Sequence, residues 1–461
     1  MSSPGPFPPE IIQGIVYYLT HDLVTLSGEP PRPGFFSSWA RIGGGSHYAT
    51  INRAWQVAVE RETFAELHLN LRRLAEAEAI LNGVPRRQKY VRVIYLDVIL
   101  PRPDTSLPYP HLETEDERKQ KNRALQDTFE AFLSTLKHWT PGPPIKLHLD
   151  AFALDDEGRR EETDLEPLRD ARQKYHLPLE LEDPERLFSL GPVNVVKEIS
   201  MEKNMLGGRR FSAAAVCTLL TQLQAVKATC IHWWDAKENP KSRSEVNQAL
   251  THITHTIDHF HLGGSYSLPW RQIPVRQVNQ SEAKTDELSR TLGMISQRME
   301  TLNLHEVPVS DEIFLQPNLV PEMTSPAHWA RLKVLLIYYP IITPSGEWLF
   351  YLDPEVPDDE KGAVVPYSAS LQRRYLAAAR AALEMPLLQH MILEARVDHD
   401  EDWHKFWYNY NEKDKVAKAV WTSSSDFVPD DEVLEAWREV PRKHFSGVEL
   451  KVEISDDEWA I

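Results

Sequence analysis

The sequence is short of cysteine, of long apolar runs and of clustered positive charge, and each shortage removes a class of protein. Two cysteines in 461 residues, Cys217 and Cys230, are too few for a disulfide framework or a four-thiolate zinc site. They read instead as small buried residues of a reducing compartment. The longest apolar stretch, residues 332–342, contains Lys333 and Pro340 and falls short of the ~20 residues a helix needs to span a bilayer. The opening Met1-Ser2-Ser3-Pro4-Gly5-Pro6 has neither the basic nor the apolar region of a secretory signal. Lysine and arginine number 51 against 68 acidic residues, a formal charge of −17. With no basic cluster, a nucleic-acid partner is not expected. What remains is ordinary: 42% hydrophobic and 26% charged residues give a folded chain with ample core. The expectation is a non-membrane protein of the cytoplasm or nucleus.

Residues 1–66 differ in texture from the rest. Pro8 and Pro9 can open a helix, where a missing N–H costs nothing. Ile11, Ile15 and Leu19 follow at i, i+4 and i+8, with Ile12 and Val16 alongside, which makes one broad apolar stripe. A Pro/Gly-rich stretch then reads as a loop inserted over residues 25–47. Helical periodicity resumes at Tyr48, Ile51 and Trp55 and continues to Val59 and Phe64. This is a small helical module.

From residue 67 to 461 short alternating segments take turns with helix formers. Strand candidates centre on Leu69, Ile94, Leu147, Ile199, Ile231, Phe260, Leu302, Leu335 and Ile392, where apolar and polar residues alternate with period 2. Helix candidates cover 124–136, 211–226, 245–254, 285–297 and 371–384. Several strand spacings lie near the 20–29 residue period of leucine-rich repeats, and two are close to twice that. Such a strand–helix unit must stack on its neighbours to bury its apolar face. The expected body is therefore an irregular leucine-rich-repeat-like α/β solenoid, with Leu69, Leu147, Leu302 and Leu336 on the inner apolar layer. A wound α/β sheet is the alternative. Residues 403–454 read strand, strand, helix, strand, and cap the array.

No motif carries chemistry. Gly43-Gly44-Gly45 precedes Ser46-His47 rather than lysine, so it lacks the cation of a phosphate-binding loop. Gly263-Gly264-Ser265 lacks the flanks of a nucleophile elbow. His252, His255 and His259 would share a face on one helix and could hold a metal. The alternation over Asp258–Leu262 instead makes a strand with Phe260 and Leu262 inward and His259 and His261 outward. Asp398, His399, Asp400, Asp402 and His404 read as a polar turn. No metal, no cofactor and no catalytic residue are expected, and the aromatic-rich Trp403–Tyr410 stretch reads as core.

The N-terminal module resembles an F-box. The resemblance rests on Phe7-Pro8-Pro9-Glu10-Ile11, Ile15-Val16, Leu19 and Asp22-Leu23 for the first half. For the second half it rests on Ile51-Asn52-Arg53-Ala54-Trp55, with Phe64 nine residues on. Phe7 stands where the family usually has leucine, and the 25–47 loop is longer than usual. The layout beyond it is similar to fungal F-box-like proteins with an irregular leucine-rich-repeat-like body. The resemblance implies an adaptor that is not an enzyme. Pro9, Ile11, Ile15, Leu19 and Trp55 would dock on the Skp-type linker of a cullin–RING ubiquitin ligase while the solenoid holds a protein substrate. A stand-alone interaction scaffold with a degenerate F-box, and an enzyme of unknown class, stay open as alternatives.

Overall fold

A computed structural model describes residues 8, 10–13, 15–16, 46–102, 113–153, 178–201, 209–233, 240–253, 257–264, 285–315, 329–352, 364–396, 403–423 and 427–455. The chain is mixed α/β and its strands are mostly parallel. It forms two compact units: residues 1–109, 114–169 and 185–208, and residues 110–113, 170–184 and 209–461. The expected boundary at residue 66 lies inside the first.

The first unit begins with a helical segment at residues 10–13 and 15–16, a 3₁₀ turn at Ser46–Thr50 and helix α1 (Arg53–Thr63). Four strands follow, β1 (Glu66–Leu69), β2 (Val93–Leu100), β3 (Ile145–Ala153) and β4 (Val196–Met201). They pair in parallel and in chain order. Helices α2 (Leu71–Leu81), α3 (Glu115–Leu136) and α4 (Pro184–Leu190) belong to the connections. Helix α3 is set by its own ends and one stripe. Thr114 and Glu117 form a reciprocal capping box, with Glu117 N–H donating to Thr114 Oγ1 at 3.2 Å and Thr114 N–H to Glu117 Oε2 at 2.9 Å. Leu125, Phe129, Phe132, Leu133 and Leu136, spaced for one face, are at most 1% exposed. Burying each such side chain contributes ~1.5–3 kcal/mol.

The second unit continues with parallel strands in chain order, β5 (Ala228–Trp233), β6 (His259–Gly264), β7 (Thr301–His305) and β8 (Val334–Tyr339). Strands β9 (Phe350–Leu352) and β10 (Val364–Pro366) form a separate antiparallel pair. The main ladder resumes with β11 (His390–Arg396) parallel to β8. It then turns antiparallel through β12 (Trp403–Asn411) and β13 (Val416–Ser423), and ends on β14 (Leu450–Ser455), parallel to β13. Helices α5 (Ala213–Gln222), α6 (Pro240–Thr251), α7 (Glu287–Ser296), α8 (Ser368–Ala382) and α9 (Asp431–His444) complete it. Helix α5 packs on α6 and α6 on α7; the 3₁₀ turn Asp311–Phe314 links α7 to α8, which packs on α9. They form one row of helices. That follows from the strand order, because right-handed crossovers between successive neighbours leave every helix on one face.

Helix-facing rows are sealed: Leu96, Leu147, Leu262, Leu302, Leu304 and Leu393 are 0% exposed. Leu69, Leu147 and Leu302 take the inner positions expected of them, but Leu336 does not. It is half-buried, while Leu335 (3%) and Ile337 (1%) are inside. The register explains the correction, since Leu302 opposes Leu335 and Leu336 opposes Asn303 on the other face. In a run of six residues without polar alternation, Val334–Tyr339, periodicity cannot choose the face. Gly264 in β6 is explained by packing: a Cβ there would lie 2.3 Å from the backbone oxygen of Glu306.

Candidate functional site

The N-terminal module is built on Asn52. Its side chain caps α1 by accepting from Ala54 N–H at 2.9 Å and Trp55 N–H at 3.2 Å, which orients the Ile-Asn-Arg-Ala-Trp segment. The module's core is Ile12 (2%), Val16 (1%), Ala58 and Val59, with Tyr48, Ala49 and Trp55 packed against it. The rings of Tyr48 and Trp55 lie 5.9 Å apart. Trp55 is thus half-buried within its own module. Ile11 is 49% exposed and Ile15 is half-buried, so the two face away from the sealed Ile12–Val16 edge. Ile51 adds a further exposed apolar residue at 55%. Pro9 and Leu19 lie outside the described residues. Glu60 anchors α1 to the connection between β1 and β2: Arg86 Nη2 donates to it at 2.5 Å and Arg87 Nη2 at 3.0 Å. Burial raises its pKa, but the bonds from Arg87 and Arg86 outweigh burial and hold the carboxyl below its usual range.

A second constellation lies on the half-buried face of the same unit. His68, Tyr95 and His148 stand opposite one another on β1, β2 and β3. Their rings stack at 4.5 Å and 4.9 Å, with interplanar angles of 9° and 15°. Two residues further along, Asp97 opposes Asp150. Burial first, then the neighbouring Asp150, push Asp97 up to about 7, with Arg73 pulling the other way. Asp150 is held by its own strand, accepting from Ala151 N–H at 2.8 Å. Two carboxyls on strands ~4.8 Å apart cannot both ionise cheaply. The sequence carries a signal for this pair that periodicity alone passes over: Tyr-Leu-Asp in β2 and His-Leu-Asp in β3 share a ring–Leu–Asp pattern at one register.

The histidines fall as follows. Phe260 (1%) and Leu262 (0%) are inward, His259 is exposed and His261 half-buried on the other face. His255 lies outside the described residues. Among the described residues no group of three or more His, Cys, Asp or Glu is placed to hold a metal. His404 corrects the polar-turn expectation. Residues 397–402 lie outside the described residues, but His404 sits in β12 at 0% exposure. Its Nε2 is 2.5 Å from Tyr375 Oη and its Nδ1 is 3.0 Å from Ser423 Oγ. Burial pushes the ring down to about 3. The contact satisfies three buried polar groups.

Residues 368–459 match the model of a family of unknown function, DUF6546. No curated protein matches the chain, and no F-box model matches its first residues. The DUF6546 stretch runs from α8 to β14 and holds the Tyr375–His404–Ser423 contact. It also holds the aromatic core in which Phe406 meets Trp421 at 4.7 Å and Trp437 at 4.4 Å. No helix among the described residues is long and apolar enough to cross a membrane.

Proposed function

We propose that the protein is a non-catalytic adaptor. Its F-box-like module docks on a Skp-type linker of a cullin–RING ubiquitin ligase, and its body, read as an irregular leucine-rich-repeat-like solenoid, recruits a protein substrate. One observation carries the reading: Ile12 and Val16 seal the module while Ile11, one residue away on the same helix, stands 49% exposed. A module this small cannot bury every large apolar residue it carries, and an apolar edge left in water beside a polar rim marks an interaction surface. Ile15, Leu19 and Pro9 extend that edge in sequence. The chain-ordered parallel strands fit the body, and in the first unit they leave a sheet face, with His68, Tyr95 and His148, half-buried and polar. Trp55 favours a second reading, a stand-alone scaffold with a degenerate F-box, because it packs against Tyr48 and its own module core.

Calorimetry against a Skp-type linker separates the two. Ile11→Ala removes an exposed anchor, and truncating an interface hot spot typically costs ~2 kcal/mol, about thirtyfold in affinity. Because Ile11 is half in water already, the melting temperature should stay near that of the wild type. If the wild type shows no binding at tens of micromolar, the adaptor reading fails and the scaffold reading replaces it.

A further inference from the structure

Strand β14 ends the ladder of the second unit, and among the described residues no strand pairs with its outer edge. Such an edge presents a row of backbone donors and acceptors that template another strand. The side chains of β14 are not a neutral row. Leu450, Val452 and Ile454 continue the side of Ala417, Ala419 and Trp421, while Lys451 and Glu453 continue the side of Lys418 and Val420. Ile454 is 47% exposed, and Lys451 and Glu453 are both exposed.

Symmetry limits what this edge can do with itself. Opposed residues of an antiparallel pair point to the same face. Two copies related by a two-fold axis can therefore oppose only residues that share a face within one copy. Three registers keep most of the strand paired. Centred on Lys451, the register sets lysine against lysine, and centred on Glu453 it sets glutamate against glutamate. Centred on Val452, it sets Lys451 against Glu453 of the second copy twice over, Leu450 against Ile454 twice, and Val452 against itself. Like charges directly opposed destabilise a strand pair and opposite charges stabilise it. The charge order therefore selects one register and rejects its neighbours.

We propose that β14 pairs antiparallel with β14 of a second copy of this chain about Val452, giving an isologous dimer whose two sheets run on into one another. This reading stands apart from the linker-binding proposal and uses none of its residues. One strand pair covers far less than the ~1,200–2,000 Å² of a standard interface, so the dimer is weak and forms at high concentration.

Sedimentation equilibrium of the full chain tests it. The expected result is an average mass that rises from 53.0 kDa toward twice that value at hundreds of micromolar. Lys451→Glu turns two symmetry-related attractions into repulsions and should weaken association about tenfold. Lys451 has no ion pair among the described residues and lies opposite Lys418, so this variant should melt no lower than the wild type. Glu453→Lys should weaken association equally, and the double exchange Lys451→Glu with Glu453→Lys should restore it. Glu453 also accepts from Lys418 at 2.7 Å; if its variant melts early, Ile454→Asn takes its place as the second weakening change. A monomer at every concentration overturns the proposal, as does a Lys451→Glu protein that dimerises as tightly as the wild type. A double exchange no tighter than either single change overturns it too.

Discussion

Replacing Asp97 by asparagine should stabilise the protein increasingly as the pH rises from about 4 to about 7 and leave it nearly unchanged below that window. Asp97 is 8% exposed in β2, opposite Asp150, and its carboxyl is raised from 3.8 to about 7. The folded state therefore holds a proton that the unfolded chain has released. This group's contribution is fully present below about pH 4 and is lost as the pH rises toward 7. At 1.36 kcal/mol for each pH unit between the two values, the penalty reaches about 4 kcal/mol once the carboxylate is forced to ionise. Asparagine keeps a donor where the protonated acid has one and cannot ionise. The difference in urea midpoint between Asp97→Asn and wild type should be near zero at about pH 4, grow toward about pH 7 and level off above it.

A companion variant apportions the cause. Burial is the larger contribution and Asp150 the smaller, so Asp150→Asn should shrink the pH dependence without abolishing it. If Asp97→Asn tracks the wild type at every pH, the buried proton is not there and the reasoning is refuted. If Asp150→Asn removes the whole effect, like-charge repulsion rather than desolvation governs the site.

Three further outcomes follow from the packing. Arg374, 3% exposed, donates to Asp311 Oδ1 at 2.9 Å and to Val309 O at 2.9 Å and lies 4.5 Å over the Tyr339 ring. Arg374→Ala should cost ~3–5 kcal/mol by urea denaturation, and lysine should recover only part of this because it lacks the planar fork. Gly264→Ala would set its Cβ 2.3 Å from a backbone oxygen and should lower stability by ~1–3 kcal/mol, read as a fall in melting temperature. His404, held down to about 3 by burial, contributes fully above about pH 6.5 and loses that contribution as the pH falls toward 3. His404→Gln should therefore flatten the acid limb of the stability curve, and an unchanged limb would show that another group titrates there.

Element positions were readable because the pattern came from packing on one face. All nine strand centres fall within strands β1 to β8 and β11, and the closing strand–strand–helix–strand run appears as β12, β13, α9 and β14. The apolar stripe starts helix α3 nine residues late. Its first turns, from Glu115, are charged, and only the Thr114–Glu117 capping box announces them. Face assignment failed at Leu336, where six apolar residues in a row leave no alternation to follow. The β9–β10 pair, three residues per strand, is too short for period 2 to register. His404 departs from the sequence pattern for a related reason. Its acidic neighbours in sequence imply water, whereas its β12 position puts the ring among Tyr375, Phe350 and Phe427. Titration in the core depends on cross-strand neighbours that linear sequence separates by dozens of residues.

Which atoms remain accessible decides where recognition can reside. Leu96, Leu149 and Leu304 are at most 2% exposed, so any change there alters stability before it alters binding. The other sheet face keeps partial exposure together with rings and ionisable groups, and the N-terminal module keeps Ile11 and Ile51 in water. Both surfaces belong to the first compact unit, yet they share no residue and differ in chemistry: one is aliphatic and the other aromatic and polar. An adaptor needs two such surfaces, because it must hold its ligase and its substrate at once without making them compete. A scaffold that binds one partner needs only one of them. The adaptor we propose therefore requires that Ile11→Ala leave binding at the Tyr95 row unchanged, a separation that the scaffold reading does not need.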